Sequence, residues 1–83
     1  MKQYEYRVCQ TQGAAVTFVN GEWQGAGTPE DAATSNDPLA ECPLLWDYLN
    51  EAGHDGWELV ATAVRHPEQS SVEVLYLKKD RYG

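Results

Sequence analysis

From Gln3 to Cys9 the chain alternates Tyr4, Tyr6 and Val8 with Glu5, Arg7 and Cys9, the period-two pattern of a half-buried strand. Gln12-Gly13 reads as a turn, and Ala14 to Val19 forms a second β-prone run ending at Asn20-Gly21. Asn-Gly is the strongest short hairpin signal, because both residues accept the positive φ of the tightest hairpin turn. The chain then returns briefly through Glu22-Trp23-Gln24. Gly25 to Asp37 mixes Gly, Ala, Thr, Ser, Asn and Pro without periodicity. That composition predicts a loop near the upper length found in compact domains unless it is functional, disordered or ordered by a partner. Fixing a backbone costs about 1 to 2 kcal/mol per residue, so the loop is expected to stay mobile in the free protein or to order against a partner.

Asn36-Asp37-Pro38 is a helix-start signal, but Pro43 would sit inside a helix begun there. The expectation is a short turn over residues 38–41 and a main helix near residues 43–53, with Pro43 in its first turn. At helical spacing Leu45, Tyr48, Leu49 and Ala52 share one face, Asp47, Asn50 and Glu51 the opposite one, and Leu44 and Trp46 flank the apolar stripe. The run from Gly53 to Val60 joins three signals: Gly53 as a left-handed helix stop, Asp55-Gly56 as a turn, and Trp57-Glu58-Leu59-Val60 as a strand start. Two strand runs, residues 57–65 and 71–79, flank a hairpin loop at 66–70. With strands near 3–10 and 14–19, they predict an α+β fold: an antiparallel sheet of four to five strands with one main helix packed on one face.

Eighty-three residues make one domain, 1–83, and such a chain buries only about 60% of the surface it exposes when unfolded. The core must be thin, so the three Trp, five Tyr and one Phe carry weight in it. Core packing is the default role for Tyr4, Tyr6, Tyr48, Trp57 and Tyr76. Two cysteines, Cys9 and Cys42, are too few for a disulfide framework, and Met1 to Tyr4 leads into strand-like sequence without a signal-peptide stretch, which predicts a cytoplasmic protein. No apolar run approaches the roughly 20 residues of a membrane span.

The net charge of −7 disfavours general nucleic-acid binding and binding to anionic membranes, both of which require clustered Lys and Arg. Between Arg7 and Arg65 there is no basic Lys or Arg, while Glu22, Glu30, Asp31, Asp37, Glu41, Asp47, Glu51, Asp55 and Glu58 all lie there. Such a segment is either a solvated face or the side that meets a basic protein partner.

The residues Met1-Lys2-x-Tyr4-Glu5-Tyr6-Arg7-Val8, the helix ending Leu49-Asn50-Glu51-x-Gly53, the run Gly56-Trp57-Glu58-Leu59-Val60 and the terminal Tyr76-Leu77-Lys78 together resemble the 4177 domain-of-unknown-function family of small bacterial and phage proteins. The likeness covers roughly two-thirds of the chain, with residues 13–43 as an insertion lacking a family counterpart. It implies a small α+β domain with one helix on an antiparallel sheet, and it brings no catalytic residues.

Candidate chemistry is sparse. His54, Asp55 and Glu58 cluster at the helix exit and could offer a base with carboxylates, or they are exposed turn and strand residues. Cys42 sits at the expected helix start, where a thiolate would be stabilised, but no base can be placed beside it. Cys-x-x-Cys, His-x-x-x-His, Gly-x-Ser-x-Gly and phosphate-loop patterns are absent from the sequence, so no metal, cofactor or catalytic residue is assigned. Trp23 and Trp46 stand at the two roots of the 25–37 loop, where Trp serves equally as core or as interface anchor. Three functions follow. The first is a non-enzymatic interaction module working as a homodimer or higher homo-oligomer, because strands with apolar residues on both faces need a second cover. Leu59, Ala61 and Ala63 would share one face and Val60, Thr62 and Val64 the other, giving Val60, Val64, Leu75 and Leu77 as candidate interface residues. The second is a small-ligand binder with an intersubunit pocket lined by Trp23, Trp46 or His54, with Glu30 and Asp31 on its closing loop. The third is a small acid/base enzyme using His54 with Asp55 or Glu58.

Overall fold

Asn20 and Gly21 both adopt positive φ, 50° and 83°, so the Asn-Gly pair folds β2 (Ala15–Val19) back onto the two-residue β3 (Glu22–Trp23). This hairpin belongs to a computed structural model that describes residues 3–64 and 72–81. The other elements are β1 (Tyr4–Gln12), α1 (Pro29–Ala33), α2 (Leu45–His54), β4 (Glu58–Val64) and β5 (Val72–Asp80). The fold is α+β: one five-stranded antiparallel sheet, ordered β3-β2-β1-β5-β4, with one main helix, α2. The expected loop at 66–70 and the strand ends at 65 and 71 lie outside the described residues.

The segment read as structureless contains α1. Thr28 caps it through a reciprocal pair: its Oγ1 accepts from Asp31 N at 3.1 Å, and the Asp31 carboxylate accepts from Thr28 N at 3.3 Å. Pro29 stands in the first turn, where its missing N–H costs nothing. The turn expected over 38–41 is present, with Ala40 N donating to Asp37 O and Cys42 N to Leu39 O.

Pro43 lies just outside α2. Its carbonyl accepts from Val16 N at 2.8 Å and Leu45 N donates to Ala14 O at 2.7 Å, which ties the start of the helix to β2. At the other end α2 runs through Gly53 to His54 and is closed off by Gly56, where φ is 95°. Trp57 N donates to Ala52 O at 2.9 Å and Gly56 N to Gly53 O at 3.0 Å, the paired bonds of a Schellman stop with Gly56 as its left-handed residue. Gly53 is an ordinary helical residue: the left-handed residue is Gly56, three positions beyond the expected Gly53, while α2 itself ends at His54, one residue past the expected end.

Residues directly opposite across strands share a face. Arg7, Leu77 and Leu59 form one such line, and Cys9, Leu75 and Thr62 the next. On the other face Tyr6, Lys78 and Glu58 align, then Val8, Tyr76 and Ala61, then Gln10, Val74 and Ala63. The helix covers the first of these faces. Ala52 and Trp57 pack there with Cys9, Val16, Leu75 and Leu77, and Val19, Leu45, Tyr48 and Leu49 close around them. Tyr6 and Tyr76 therefore lie on the face away from α2, and both are exposed, Tyr6 by 64%; their expected place in the core is corrected. The register of β4 against β5 shifts between Leu59 and Ala61, a bulge that places Leu59, Thr62 and Val64 on the helix face and Ala61 and Ala63 on the other. Strict alternation, which put Leu59 with Ala61 and Ala63, fails at that residue.

The face away from α2 is covered at one end. Pro29, Ala32, Ala33, Pro38 and Leu39 come over Phe18 and Trp23 and share with them a depression of about 290 Å³. Trp23 is held there by its indole N–H, which donates to Ala26 O at 3.3 Å, and by a tilted contact with Phe18 at 5.4 Å between ring centroids.

Candidate functional site

Two regions offer candidate sites. The first is the β4 end of the sheet. All seven residues of β4 are exposed, including Leu59 at 44%, Val60 at 54% and Val64 at 55%. On the face away from α2, opposite to Leu59 and Val64, Tyr76 of β5 and Tyr6 and Val8 of the central strand β1 are also exposed. Among the described residues β4 pairs on one side only, with β5. Its single charge, Glu58, meets Lys78 of β5 at 3.9 Å.

The second region is a polar cluster under the C-terminal half of α2. The period-two pattern of β1 sends Arg7 to the helix face, where its guanidinium lies 4.2 Å from the centre of the Trp57 ring and donates to Tyr48 Oη at 2.8 Å. Cys9, buried, brings its thiol to the same oxygen at 3.6 Å. Burial pushes the Cys9 thiol up, opposed by the Tyr48 contact and the Arg7 charge. Burial and the Cys9 contact likewise raise Tyr48, opposed by Arg7. Both groups keep their protons at neutral pH. Arg7, Tyr48, Glu51, Ala52, His54 and Asp55 line an open cleft of about 500 Å³. The Trp57 indole N–H is buried with no acceptor among the described residues, and nothing in the structure accounts for it.

The carboxylates proposed to serve His54 face lysines. Asp55 pairs with Lys79 at 3.5 Å and Glu58 with Lys78, while His54 is exposed at the last position of α2. Cys42 is buried and its thiol is pushed up by that burial, the reverse of the stabilised thiolate expected at a helix start. Trp23 sits under α1, Trp46 stands exposed in the first turn of α2, and Trp23 and His54 line separate depressions. Asp31 spends its carboxylate on the α1 cap, and Glu30 beside it is exposed. Of the four interface candidates, Val60 and Val64 are exposed, whereas Leu75 and Leu77, 3% and 1% exposed, belong to the core under α2 and offer no outer surface. His66 lies outside the described residues.

Sequence reading missed Tyr6, Val8, Tyr76 and Leu59 as surface residues and Arg7 and Tyr48 as a polar pair. The alternation in β1 carried the signal: whichever set faced the helix, either an arginine or two tyrosines had to point inward. Among the described residues no group of three or more His, Cys, Asp or Glu could hold a metal ion, and no helix is long and apolar enough to cross a membrane. No protein-family model matches the chain, and neither a curated protein nor a solved structure matches it.

Proposed function

We propose that the chain is a non-enzymatic interaction module that works as a homo-oligomer, with a dimer as its basic unit. The reading is carried by the exposed apolar side chains on the β4 half of the sheet: Leu59, Val60 and Val64 on the edge strand, and, on the face away from α2, Tyr76 of β5 with Tyr6 and Val8 of the central strand β1. Exposed apolar side chains on a small acidic chain mark a place of association, and a twofold axis is the commonest way to cover them with more of the same. The occupied carboxylates at Asp55 and Glu58 weigh against acid/base chemistry at His54. The two free, buried thiols fit a reducing compartment, so we place the protein in the cytoplasm.

A second reading, small-ligand binding, is favoured by one observation, the open cleft in which Arg7 is fixed by Tyr48 and Trp57. Sedimentation velocity and native mass spectrometry at micromolar concentration test both. A species of twice 9.3 kDa supports the module. A 9.3 kDa species alone overturns it, and a retained small molecule on that monomer transfers the case to the ligand reading.

A further inference from the structure

We propose that the surface at β4 is occupied by a second copy of this chain docked edge to edge, so that two five-stranded sheets join through antiparallel β4 strands about a twofold axis normal to the sheet. This rests on the interaction-module reading and names its partner and its geometry.

The two edges of the sheet are treated differently. At one edge β3 has two residues, and the neighbouring face is roofed by α1 and Pro38-Leu39. At the other, β4 has seven residues, every one of them exposed. The backbone groups that β4 turns away from β5 form a row of donors and acceptors that only another strand can match along its length.

Proteins guard such an edge with lysine, proline, extreme shortness or a bulge. From Leu59 to Val64 there is neither a charge nor a proline. One bulge, at Val60, interrupts the strand near its start and leaves Ala61 to Val64 in continuous register with β5. The edge open to pairing is therefore the stretch 61–64. Ala61, Thr62 and Ala63 are small enough for a dyad-related strand to approach closely, with Val60 and Val64 as apolar flanks.

Charge selects the occupant. The chain carries −7, so two copies meet most easily where neither bears an unpaired charge. Glu58, the one charged residue of β4, is already matched by Lys78 of its own chain. From Leu59 to Val64 a basic partner would meet no carboxylate on this edge. The acidic residues Glu22, Glu30, Asp31, Asp37 and Glu41 belong to β3, α1 and the segment after it, at the opposite side of the sheet. Antiparallel self-pairing also extends the line Val8, Tyr76 and Ala61 across the dyad on one face, where cross-strand apolar contacts add to the backbone bonds.

The test combines cross-linking with charge insertion. Ala61→Cys, Thr62→Cys and Ala63→Cys are oxidised separately in the full chain, whose own Cys9 and Cys42 are buried. At least one is expected to give a reducible covalent dimer with the parent's circular dichroism, and a Tyr6→Cys control is expected to give none. Val60→Lys and Val64→Lys replace exposed side chains and are expected to weaken the dimer about tenfold or more, a loss of at least about 1.4 kcal/mol. The inference is overturned if neither lysine variant shifts the dimer, none of the three cysteines cross-links and Tyr6→Glu dissociates it. Association would then stand, with the open sheet face as its surface. A monomeric parent overturns both this inference and the interaction-module reading.

Discussion

Gly53→Ala and Gly56→Ala should change stability in opposite directions, although the two residues lie three apart at the same helix end. A Cβ at Gly53 meets no atom within 4 Å, and its φ is ordinary for a helix. Alanine there recovers the roughly 0.5–1 kcal/mol that glycine costs inside a helix. At Gly56 a Cβ would find Lys79 Cε at 3.5 Å, an ordinary contact, so space is not the obstacle. The obstacle is φ at 95°, which an L-residue occupies at a cost of about 1–2 kcal/mol. The two variants should thus lie roughly 1.5–3 kcal/mol apart. For a domain of this size 1 kcal/mol moves Tm by about 4–8 °C, a separation well beyond measurement error. Thermal melts followed by circular dichroism must be run at one protein concentration, because the proposed association would make Tm depend on it. If Gly53→Ala loses stability while Gly56→Ala matches the parent, the left-handed residue is Gly53 and the paired bonds from Gly56 and Trp57 do not end α2.

Two further outcomes concern Cys42 and the polar cluster of Arg7, Cys9 and Tyr48. Cys9, Cys42 and Tyr48 all have raised folded values, so below the ordinary thiol value of 9.0 both folded and unfolded chains keep these protons and stability is present in full. As pH climbs from 9.0 toward the raised values the unfolded chain releases protons that the folded one holds, and stability must fall. Urea midpoints at pH 8 and pH 10 should show that drop, and Cys9→Ala with Cys42→Ala should flatten its lower part; equal slopes in parent and variant would refute the assignment. Arg7→Ala removes a stacked cation and a hydrogen bond to Tyr48, for a loss of about 1–3 kcal/mol. Arg7→Lys keeps the charge but not the planar fork and should restore only part of it; stability within a few tenths of the parent in Arg7→Ala would show that the cluster contributes nothing.

The elements with local signals were readable from sequence. Asn20-Gly21 gave the first hairpin, the Leu45, Tyr48, Leu49 and Ala52 spacing gave α2, and the runs on either side of residues 65–71 gave β4 and β5. Thr28-Pro29-Glu30-Asp31 carried a complete capping signal for α1 that the surrounding small residues masked. The bulge at Val60 had no sequence mark, because bulges answer to the strain of pairing with β5 and leave composition unchanged. The face of β1 was equally hidden. Tyr4, Tyr6 and Val8 outscore Glu5, Arg7 and Cys9 in hydrophobicity, yet Arg7 turns inward because Trp57 and Tyr48, distant in sequence, supply a ring face and a hydroxyl for its guanidinium.

That inversion and the bare edge share a cause in the widths of the layers. Strands repeat every 4.7–4.9 Å or so across a sheet, and a helix with its side chains is about 10–12 Å wide, so one helix covers roughly two to three strands. With its start tied to β2 through Leu45 and Pro43, α2 covers β2, β1 and β5 and falls short of β4, where Leu59, Thr62 and Val64 remain exposed on the helix face. On the other face α1 and Pro38-Leu39 are drawn to the same side by Phe18 and Trp23. Both covering layers are therefore displaced toward β3, and β4 is left with neither. A chain that leaves its own edge strand this bare would bury apolar surface by pairing there, so the proposed site of association and the thinness of the core trace to one arrangement of layers.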